Sequence, residues 1–308
     1  MSEIKSILVA YDFSDHAKRA MNDAFDLADK FGAKVSVVHV LNSDVADAYV
    51  IPLSQEYKEK LSQNLKEDVK AHYGERKISV ADEDIFVEKG NPHIVIIEKA
   101  VQVSADLVIM GSHGRSAVSL VLLGSVANKV IRYAPMPVLV SRLDREKTFQ
   151  KILIPIDDSD ESEQAIDYVK KFVAAFNSQI QLLHVVDVSD FAHYAEYKIM
   201  VKKALDNARG RLEKLNAKHG ITMEPLVIDG KGAHTIVDAT KQNEDIGLVV
   251  MTTHGRSGLS RWFMGSTSEA VARHLPCSVL TMHLQEHHGK VKEHFESYKK
   301  NPVGNILI

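Results

Sequence analysis

Short apolar runs alternate with amphipathic segments along most of the chain, and each kind of segment has a length typical of one secondary-structure element. In the first half, the apolar runs predict buried strands at 5–10, 34–41, 85–87, 106–110 and 137–141. The segments between them have apolar residues at helical spacing and predict helices at 15–31, 54–72, 125–133 and from Pro92 onward. Strands that alternate with helices favour a parallel sheet covered by helices on both faces.

The second half of the chain repeats this order of segments. Its pattern predicts strands at 151–156, 179–186, 224–228, 247–251 and 277–282, and helices at 160–175, 194–218, 233–242 and 266–274. Residues 7–15 match residues 152–160 at an offset of 145, which falls to 141 further on, so the chain is a tandem duplication with small insertions. The period is far too long for a solenoid. We expect two domains, 1–142 and 151–284, and a charged C-terminal tail, 285–308, whose apolar end docks on the protein.

A spaced set of glycines follows the predicted strand at 106–110. Gly111 and Gly114 come directly after the strand, and Gly124 and Ser125 come nine residues later at a predicted helix start, giving G-x2-G-x9-G-S. Glycines let a backbone lie close to a ligand, and a helix start offers unbonded N–H groups and the positive end of a dipole. The pattern therefore predicts a phosphate or nucleotide site. The alternative is that these glycines only punctuate a strand-to-helix loop.

A second copy of the pattern favours the binding interpretation. Residues 254–257 repeat the His-Gly-Arg-Ser of 113–116, and the same nine-residue gap leads to Gly265. Thr252 stands where the first copy has Gly111, and a β-branched residue there narrows the backbone approach and resists a positive φ. We therefore expect poorer ribose contact and weaker binding in the second copy. Neither copy matches the G-x-G-x-x-G or G-x4-G-K-[ST] motifs.

Composition narrows the class of protein. The 308 residues are 45% hydrophobic and 26% charged, as in a soluble globular protein of about two domains. The net charge of −3 gives no general reason to bind nucleic acid or anionic lipid. The single cysteine, Cys277, excludes an internal disulfide and fits a reducing compartment. No signal-peptide pattern opens the sequence and no apolar run is long enough to span a bilayer, so we expect a cytoplasmic protein.

Other candidate chemistry is weak in this sequence. Among the 15 histidines, His283, His287 and His288 lack both the H-E-x-x-H spacing and a second cysteine, so a solvated tail explains them better than a metal site. No Ser-His-Asp order and no paired carboxylates can be picked out. We therefore predict no metal site and no catalytic residues.

The repeated glycine motif, with Met-Gly-Ser-His-Gly-Arg-Ser at 110–116, resembles the universal stress protein family in its tandem form. The resemblance implies two flavodoxin-like, Rossmann-like doubly wound α/β domains, each with five parallel strands in the order 3-2-1-4-5. Many members of that family bind ATP, whereas members without the glycines do not. The resemblance assigns Asp12 and the backbone of Val40 to adenine, the turn after the fourth strand to ribose and phosphates, and the Gly-Ser-Val helix start to phosphates.

The ATP-binding residues that the resemblance implies fall into one group in each unit. In the first unit they are Ala10, Tyr11, Asp12, Val40, Met110, Gly111, Ser112, His113, Gly114, Arg115, Gly124, Ser125 and Val126. In the second unit they are Pro155, Ile156, Asp157, Val185, Thr252, Gly255, Arg256, Gly265, Ser266 and Thr267. The chemistry agrees, because a carboxylate suits the exocyclic amine of adenine and backbone amides suit phosphate oxygens.

These observations predict an ATP-binding regulator or sensor of the cytoplasmic stress response, with Mg²⁺ as an optional companion of ATP. One alternative is a protein-interaction scaffold whose nucleotide sites are empty. A weaker alternative is a slow ATPase or an enzyme acting on an adenylated small molecule. The apolar fifth strand of each unit would be a sheet edge, so we also expect these strands to pair as an intramolecular pseudo-dimer, with a further homodimer as an option.

Overall fold

The computed structural model describes residues 3–42, 55–73, 76, 78–114, 123–143, 148–157, 159–189, 195–253, 265–283, 293 and 295–299. The chain divides into two compact units. Domain 1 consists of Ser2–Leu143 together with Gln285–Ile308, and domain 2 is formed by Asp144–Leu284. Within the described part of the chain, no helix combines the length and the apolarity needed to cross a membrane.

Domain 1 alternates strands and helices as its sequence predicts. Its elements are β1 (Ser6–Ala10), α1 (Asp15–Phe31), β2 (Lys34–Asn42), α2 (Gln55–Tyr73), β3 (Ile85–Gly90), α3 (Pro92–Gln102), β4 (Leu107–Gly111), α4 (Ser125–Tyr133) and β5 (Val138–Ser141). The strands are parallel and lie in the order β3-β2-β1-β4-β5. This confirms the predicted doubly wound sheet of order 3-2-1-4-5.

Domain 2 repeats the same order of elements. They are β6 (Lys151–Pro155), α5 (Asp160–Phe176), β7 (Gln179–Val186), α6 (Tyr197–His219), β8 (Met223–Asp229), α7 (Gly232–Gln242), β9 (Leu248–Thr252), α8 (Ser266–His274) and β10 (Ser278–Met282). The parallel strands lie in the order β8-β7-β6-β9-β10, which is again 3-2-1-4-5 when counted within the domain. The duplication that the sequence indicates is therefore a duplication of fold.

The ends of the first helix show how closely the two copies correspond. The Ser14 hydroxyl caps the start of α1 by accepting from the Ala17 N–H at 3.2 Å, and Ser159 caps α5 in the same way. Gly32 ends α1 in the left-handed region with a φ of 65°, and Asn177 ends α5 with a φ of 53°. Asparagine tolerates this conformation better than most residues, so the same helix stop is kept without glycine.

The central strands carry the core of each domain. Ile7, Leu8, Val9 and the apolar residues of β4 are fully buried, because α1 covers one face of the sheet and α3 contacts the strands from the other. The strand order reverses between β1 and β4, since the chain continues to β2 on one side and β4 lies on the other. The carboxyl ends of β1 and β4 therefore frame the crevice in which a doubly wound sheet holds a ligand.

Candidate functional site

Asp12 lies directly after β1, at the carboxyl edge of the domain 1 sheet. Its Oδ1 atom accepts from the Ser14 backbone N–H at 3.1 Å and from the Ser14 hydroxyl at 2.6 Å. The Ser14 hydroxyl also lies 3.3 Å from the His113 carbonyl oxygen in the turn after β4. The residue that caps α1 thus fixes the carboxylate and links the two loops that border the crevice.

Gly111 at the end of β4 and Gly114 in the turn that follows both lie tightly against other parts of the domain. A Cβ atom at Gly111 would lie 2.7 Å from the backbone and Cβ of His16 in α1, and one at Gly114 would lie 2.6 Å from Asp12 Oδ2. Gly111 does not occupy the left-handed region of the backbone. It is glycine because α1 lies against the end of β4, and Gly114 is glycine because the Asp12 carboxylate lies against the turn.

Ser112 and His113 face the interior of the domain. The Ser112 N–H donates to the Ser141 carbonyl oxygen at 3.0 Å, and its side chain is fully buried. The Ser112 hydroxyl lies 3.0 Å from Nδ1 of His16 and 3.0 Å from Nδ1 of His113, which is itself buried. These side chains therefore hold α1 against the turn, behind the crevice. The Ser112 N–H is not available to a ligand, because it donates to β5.

The start of α4 meets the same turn. The Gly124 N–H donates to the Ser112 carbonyl oxygen at 2.8 Å, and a Cβ at Gly124 would lie 3.0 Å from that oxygen. None of the described side chains caps this helix, because its N-cap residue is glycine, whereas α1 has the Ser14 cap. The N–H groups at Ser125 and Val126 thus begin a helix whose positive end suits an anion. Arg115 lies outside the described residues.

The wall beside Asp12 is formed by the ends of β1 and β2. Ala10 and Met110 are buried and pair with each other on neighbouring strands. Val40 is half-buried on β2, two residues beyond Val38, which pairs with Ala10. His39 is buried with Nδ1 2.7 Å from the Tyr11 carbonyl oxygen, so this nitrogen carries the proton and donates. The side chains at this wall are therefore held by backbone contacts of the sheet.

Two features of this wall were missed by sequence reasoning. Phe13 has a left-handed φ of 67°, and its ring lies edge-on to His39 at 5.1 Å and to Tyr11 at 5.4 Å. The Tyr11 hydroxyl donates to Oδ2 of Asp68 in α2. A phenylalanine with positive φ is strained, and such strain concentrates at functional loops. The sequence carried one signal that could have identified Asp68, because this acid comes directly before the buried Val69 in an amphipathic helix.

Domain 2 builds the same frame from its own residues. Asp157 Oδ1 accepts from the Ser159 N–H at 3.2 Å, as Asp12 does from Ser14. The Gly265 N–H donates to the Thr253 carbonyl oxygen at 2.7 Å, so α8 meets the turn after β9 as α4 meets the turn after β4. Around this frame lie the strand-end residues Pro155, Ile156 and Val185 and the helix-start residues Ser266 and Thr267, whereas Gly255 and Arg256 lie outside the described residues.

The structure corrects the reason given for ranking the two copies. Thr252 is the last residue of β9, is buried, and is not among the residues with positive φ. Its carbonyl oxygen accepts from the Ser268 hydroxyl at 3.0 Å. The expectation that threonine would resist a required positive φ was therefore wrong, because neither Thr252 nor Gly111 adopts that conformation.

The two domains differ in the charge beside the second strand. His184 donates from Nδ1 to the Ile156 carbonyl oxygen at 2.8 Å, as His39 does to Tyr11, and its Nε2 lies 3.4 Å from Nη2 of Arg211 in α6. The helix α2 buries Leu65 and Val69, and α6 buries Ala208 and Leu212 at the same spacing. When these two pairs are aligned, Arg211 takes the position of Asp68. Domain 2 thus places a guanidinium where domain 1 has a carboxylate.

Metal-binding geometry is lacking in the part of the chain that the structure describes. No group of three or more His, Cys, Asp or Glu side chains is arranged there to hold an ion. In Asp12, one carboxylate oxygen is engaged by Ser14 and the other lies against Gly114. The chemistry that the described edge offers is recognition of an anion at a helix start beside a fixed carboxylate.

The model of the universal stress protein family matches residues 3–142 and 148–283 of the chain. A putative universal stress protein of Staphylococcus saprophyticus is 36% identical over 147 residues, which cover 47% of this chain and 87% of that protein. A universal stress protein of Thermus aquaticus is 38% identical over 139 residues, which cover 45% of this chain and 98% of that protein. Each of these relatives corresponds in length to about one domain.

Two solved structures match nearly the whole chain. A universal stress protein from Archaeoglobus fulgidus has a TM-score of 0.64 and 21% identity, and the match covers 92% of this chain and 99% of that one. A putative universal stress protein from Pseudomonas aeruginosa has a TM-score of 0.68 and 17% identity, with coverage of 95% and 98%. At these identities the likeness concerns the fold.

Proposed function

The chain belongs to the universal stress protein family, and from that premise we propose that it is an ATP-binding regulator of the cytoplasmic stress response. Domain 1 is the principal ATP site in this proposal. ATP occupancy sets a conformation or a surface that a protein partner recognises, and chemical turnover of ATP is not the main activity.

One observation carries the proposal. Asp12, the turn that ends at Gly114 and the start of α4 meet at one edge of the sheet, through the contacts of Asp12 with Gly114 and of Gly124 with Ser112. An anion at the uncapped start of α4 would be bound by backbone N–H groups and by the helix dipole. The same edge offers a fixed carboxylate to a hydrogen-bond donor of the bound molecule.

Adenine and phosphate have separate partners in this arrangement. The Asp12 carboxylate accepts from the exocyclic amine of adenine, and the backbone at Val40 reads the base edge. Ser125 and Val126 hold the phosphates with their N–H groups, which become charge-assisted donors worth roughly 1.5–3 kcal/mol each. Any Mg²⁺ would be held mainly through phosphate oxygens, because the described residues supply no cluster of metal ligands.

Domain 2 is proposed to bind nucleotide more weakly than domain 1. The support is the pair formed by Arg211 and His184, which puts a cation at the helix position where domain 1 has Asp68. A cation near the wall of the base pocket disfavours a base edge that presents a donor amine, whereas a carboxylate favours it. The start of α8 remains suited to phosphate, so the difference concerns the base.

A scaffold with an empty site is the competing function, and the burial of Ser112 and His113 favours it. Their side chains are buried against α1 and each other, so the ribose and phosphate contacts that the resemblance assigns to this turn would fall to its backbone. Mass spectrometry of the denatured, freshly purified protein separates the two functions. ATP or ADP at close to stoichiometric amount supports the proposal. Absence of nucleotide, together with no binding of added ATP by calorimetry, supports the scaffold.

The pairing of the two domains through their fifth strands remains a prediction of the sequence. An apolar strand at a sheet edge is usually covered or paired, and the duplication supplies two such strands in one chain. Cleavage at an engineered protease site at 145 should then give halves that self-associate. Halves that stay monomeric at high concentration would contradict this prediction.

A further inference from the structure

The C-terminal segment packs on domain 1, on the face formed by α3 and α4. Residues 295–299 are helical, and Phe295 and Tyr298 are only 3% and 6% exposed. The ring of Tyr298 stacks on that of Tyr133 at the end of α4, with centroids 4.5 Å apart and planes 24° apart. Its centroid also lies 5.6 Å from that of His93 in α3. The segment is thus anchored to both helices by aromatic contacts.

An ion pair fixes the same segment from the solvent side. Lys299 Nζ lies 2.7 Å from a carboxylate oxygen of Glu98 in α3 and 2.9 Å from one of Glu296 within the segment. The lysine side chain is 22% exposed, so its stem is largely covered. This ion pair sets the position of the segment along α3. The stacking of rings alone would not set it, because stacked rings can slide over each other.

The duplication provides an internal control for this face. The helices α3 and α7 have equal lengths and an offset of 140, so His93 corresponds to Ala233, and α4 and α8 have an offset of 141, so Tyr133 corresponds to His274. Ala233 is half-buried and His274 is exposed, whereas His93 and Tyr133 are buried at 2% and 6% exposure. The domain that receives the segment therefore has two buried rings on this face, and the other domain has an alanine and an exposed histidine in their places.

The interior of the contact shows that the segment is part of the domain. His93 Nε2 is buried and has no hydrogen-bond partner among the described residues. A buried nitrogen without a partner is costly, and the ring contacts that Tyr298 makes with His93 and with Tyr133 offset that cost. Removal of the segment would expose this polar atom and the Tyr133 ring together.

We propose that the α3–α4 face of domain 1 is a docking surface for the C-terminal helical segment of this chain, and that docking holds α4 in the position that binds ligand. The second half of this inference rests on the proposed function. α4 has 9 residues and a length of about 13 Å, so one rigid helix joins the docked Tyr133 to the N–H groups at Ser125. A shift of the helix at Tyr133 would therefore move the N–H groups at Ser125 as well.

The test uses the full chain with Tyr298→Ala, and Tyr197→Ala as the matched control on an exposed tyrosine of domain 2. Hydrogen exchange measures the protection of α4 and of residues 295–299, and calorimetry measures ATP affinity. Tyr298→Ala should raise exchange in both segments and weaken ATP binding about tenfold, and Tyr197→Ala should change neither. Unchanged exchange in residues 295–299 would overturn the docking surface, and unchanged exchange in α4 would overturn the hold of the segment on that helix. Raised exchange with unchanged ATP affinity would overturn the coupling to the ligand.

A charge swap keeps the test valid if Tyr298→Ala disturbs the fold more broadly. Lys299→Glu should loosen the segment through repulsion from Glu98, and the double variant Lys299→Glu, Glu98→Lys should restore protection of α4 and ATP affinity. If the double variant does not restore protection of α4 from hydrogen exchange, the Lys299–Glu98 pair does not set the position of the segment along α3. If the unmodified chain binds no ATP, the proposed function and the coupling fail, and the exchange data still decide whether the docking surface exists.

Discussion

The Asp12 carboxylate lies directly against Gly114, so closely that a Cβ atom at Gly114 would be 2.6 Å from Oδ2. Gly114 belongs to a motif associated with nucleotide binding, but it is the Asp12 side chain of the protein itself that leaves no room for a Cβ atom there. Because Ser14 holds the other carboxylate oxygen at 2.6 Å, the carboxylate is clamped between a helix cap and a turn. The site is shaped before any ligand arrives.

Gly114→Ala should displace the Asp12 carboxylate and disturb its bonds to Ser14. We expect a loss of about 1–2 kcal/mol of stability, in the range of a lost helix cap, and weaker ATP binding. Urea unfolding and calorimetry measure the two effects. Gly210→Ala is the control, because an added methyl group there meets nothing within 4 Å, and it should stabilise α6 by about 0.5–1 kcal/mol. Wild-type behaviour of Gly114→Ala would show that the turn is not constrained by Asp12.

Asp12→Asn should reduce the discrimination between ATP and GTP more than it reduces phosphate affinity. The amide keeps one oxygen for the Ser14 N–H and hydroxyl but removes the charge, and its NH₂ group can face the base as a donor. The ratio of the GTP dissociation constant to the ATP dissociation constant, measured by calorimetry, should therefore fall. A parallel loss of affinity for both nucleotides would show that Asp12 does not contact the base.

Tyr11→Phe removes the hydroxyl that donates to Asp68 and leaves that carboxylate without this donor. We expect a loss of about 1–3 kcal/mol in the free energy of unfolding, the usual cost of leaving a partly buried group without its partner. Tyr197→Phe, at an exposed tyrosine, is the control and should change stability little. Equal stability of both variants would mean that the Tyr11–Asp68 bond contributes nothing net.

The stability of domain 1 should depend on pH through His93. Burial lowers the pKa of His93 to about 4 from 6.5, with a smaller contribution from Lys129, while the neighbouring Tyr298 stays neutral because burial raises its own pKa. The unfolded chain therefore binds the proton more readily. The stabilising contribution is complete above pH 6.5 and is lost as the pH falls from 6.5 towards 4, by at most about 3 kcal/mol.

His93→Phe removes that titration and keeps an aromatic ring against Tyr298. Thermal unfolding between pH 4 and pH 7 should show a flatter stability profile in this variant than in the wild-type chain. The control is His234→Phe, at an exposed histidine of α7 in domain 2, which should leave the profile unchanged. Parallel profiles for His93→Phe and the wild-type chain would show that His93 does not titrate in this way.

The elements of the fold could be predicted because they are encoded locally. Buried parallel strands are continuous apolar runs, so the strand predicted at 247–251 is β9 at Leu248–Thr252 and the one at 106–110 is β4 at Leu107–Gly111. The order of the strands in the sheet came from the family resemblance and not from these patterns. The position of Asp12 at the carboxyl edge followed once the order was known.

The contacts that shape the site could not be predicted, because they join distant segments. Tyr11 and Asp68 are 57 residues apart, and Ser112 meets His16 across 96 residues. The left-handed φ of Phe13 has no local signal, since phenylalanine is not a residue that favours this conformation. Such features depend on which helices the sheet brings together.

The C-terminal tail shows the same limit. Its apolar end, 306–308, suggested docking, but those residues lie outside the described part of the chain. The described residues Phe295 and Tyr298 are buried instead, and the ring partners of Tyr298, which are Tyr133 and His93, lie more than 150 positions earlier in the sequence. The aromatic face became recognisable only beside its counterpart in domain 2, which has neither aromatic ring buried.

An added charge at the start of α4 tests the central claim most directly. Ser125→Asp places an acid in the first turn of α4, where it should stabilise the helix by about 0.3–1 kcal/mol through the dipole while repelling a phosphate at the same N–H groups. Titration of ATP by calorimetry should show at least about tenfold weaker binding at domain 1 in a protein that unfolds at an equal or higher temperature. Ser266→Asp at the start of α8 is the matched control and should leave that affinity unchanged. Undiminished ATP binding by Ser125→Asp would contradict a phosphate site at the start of α4.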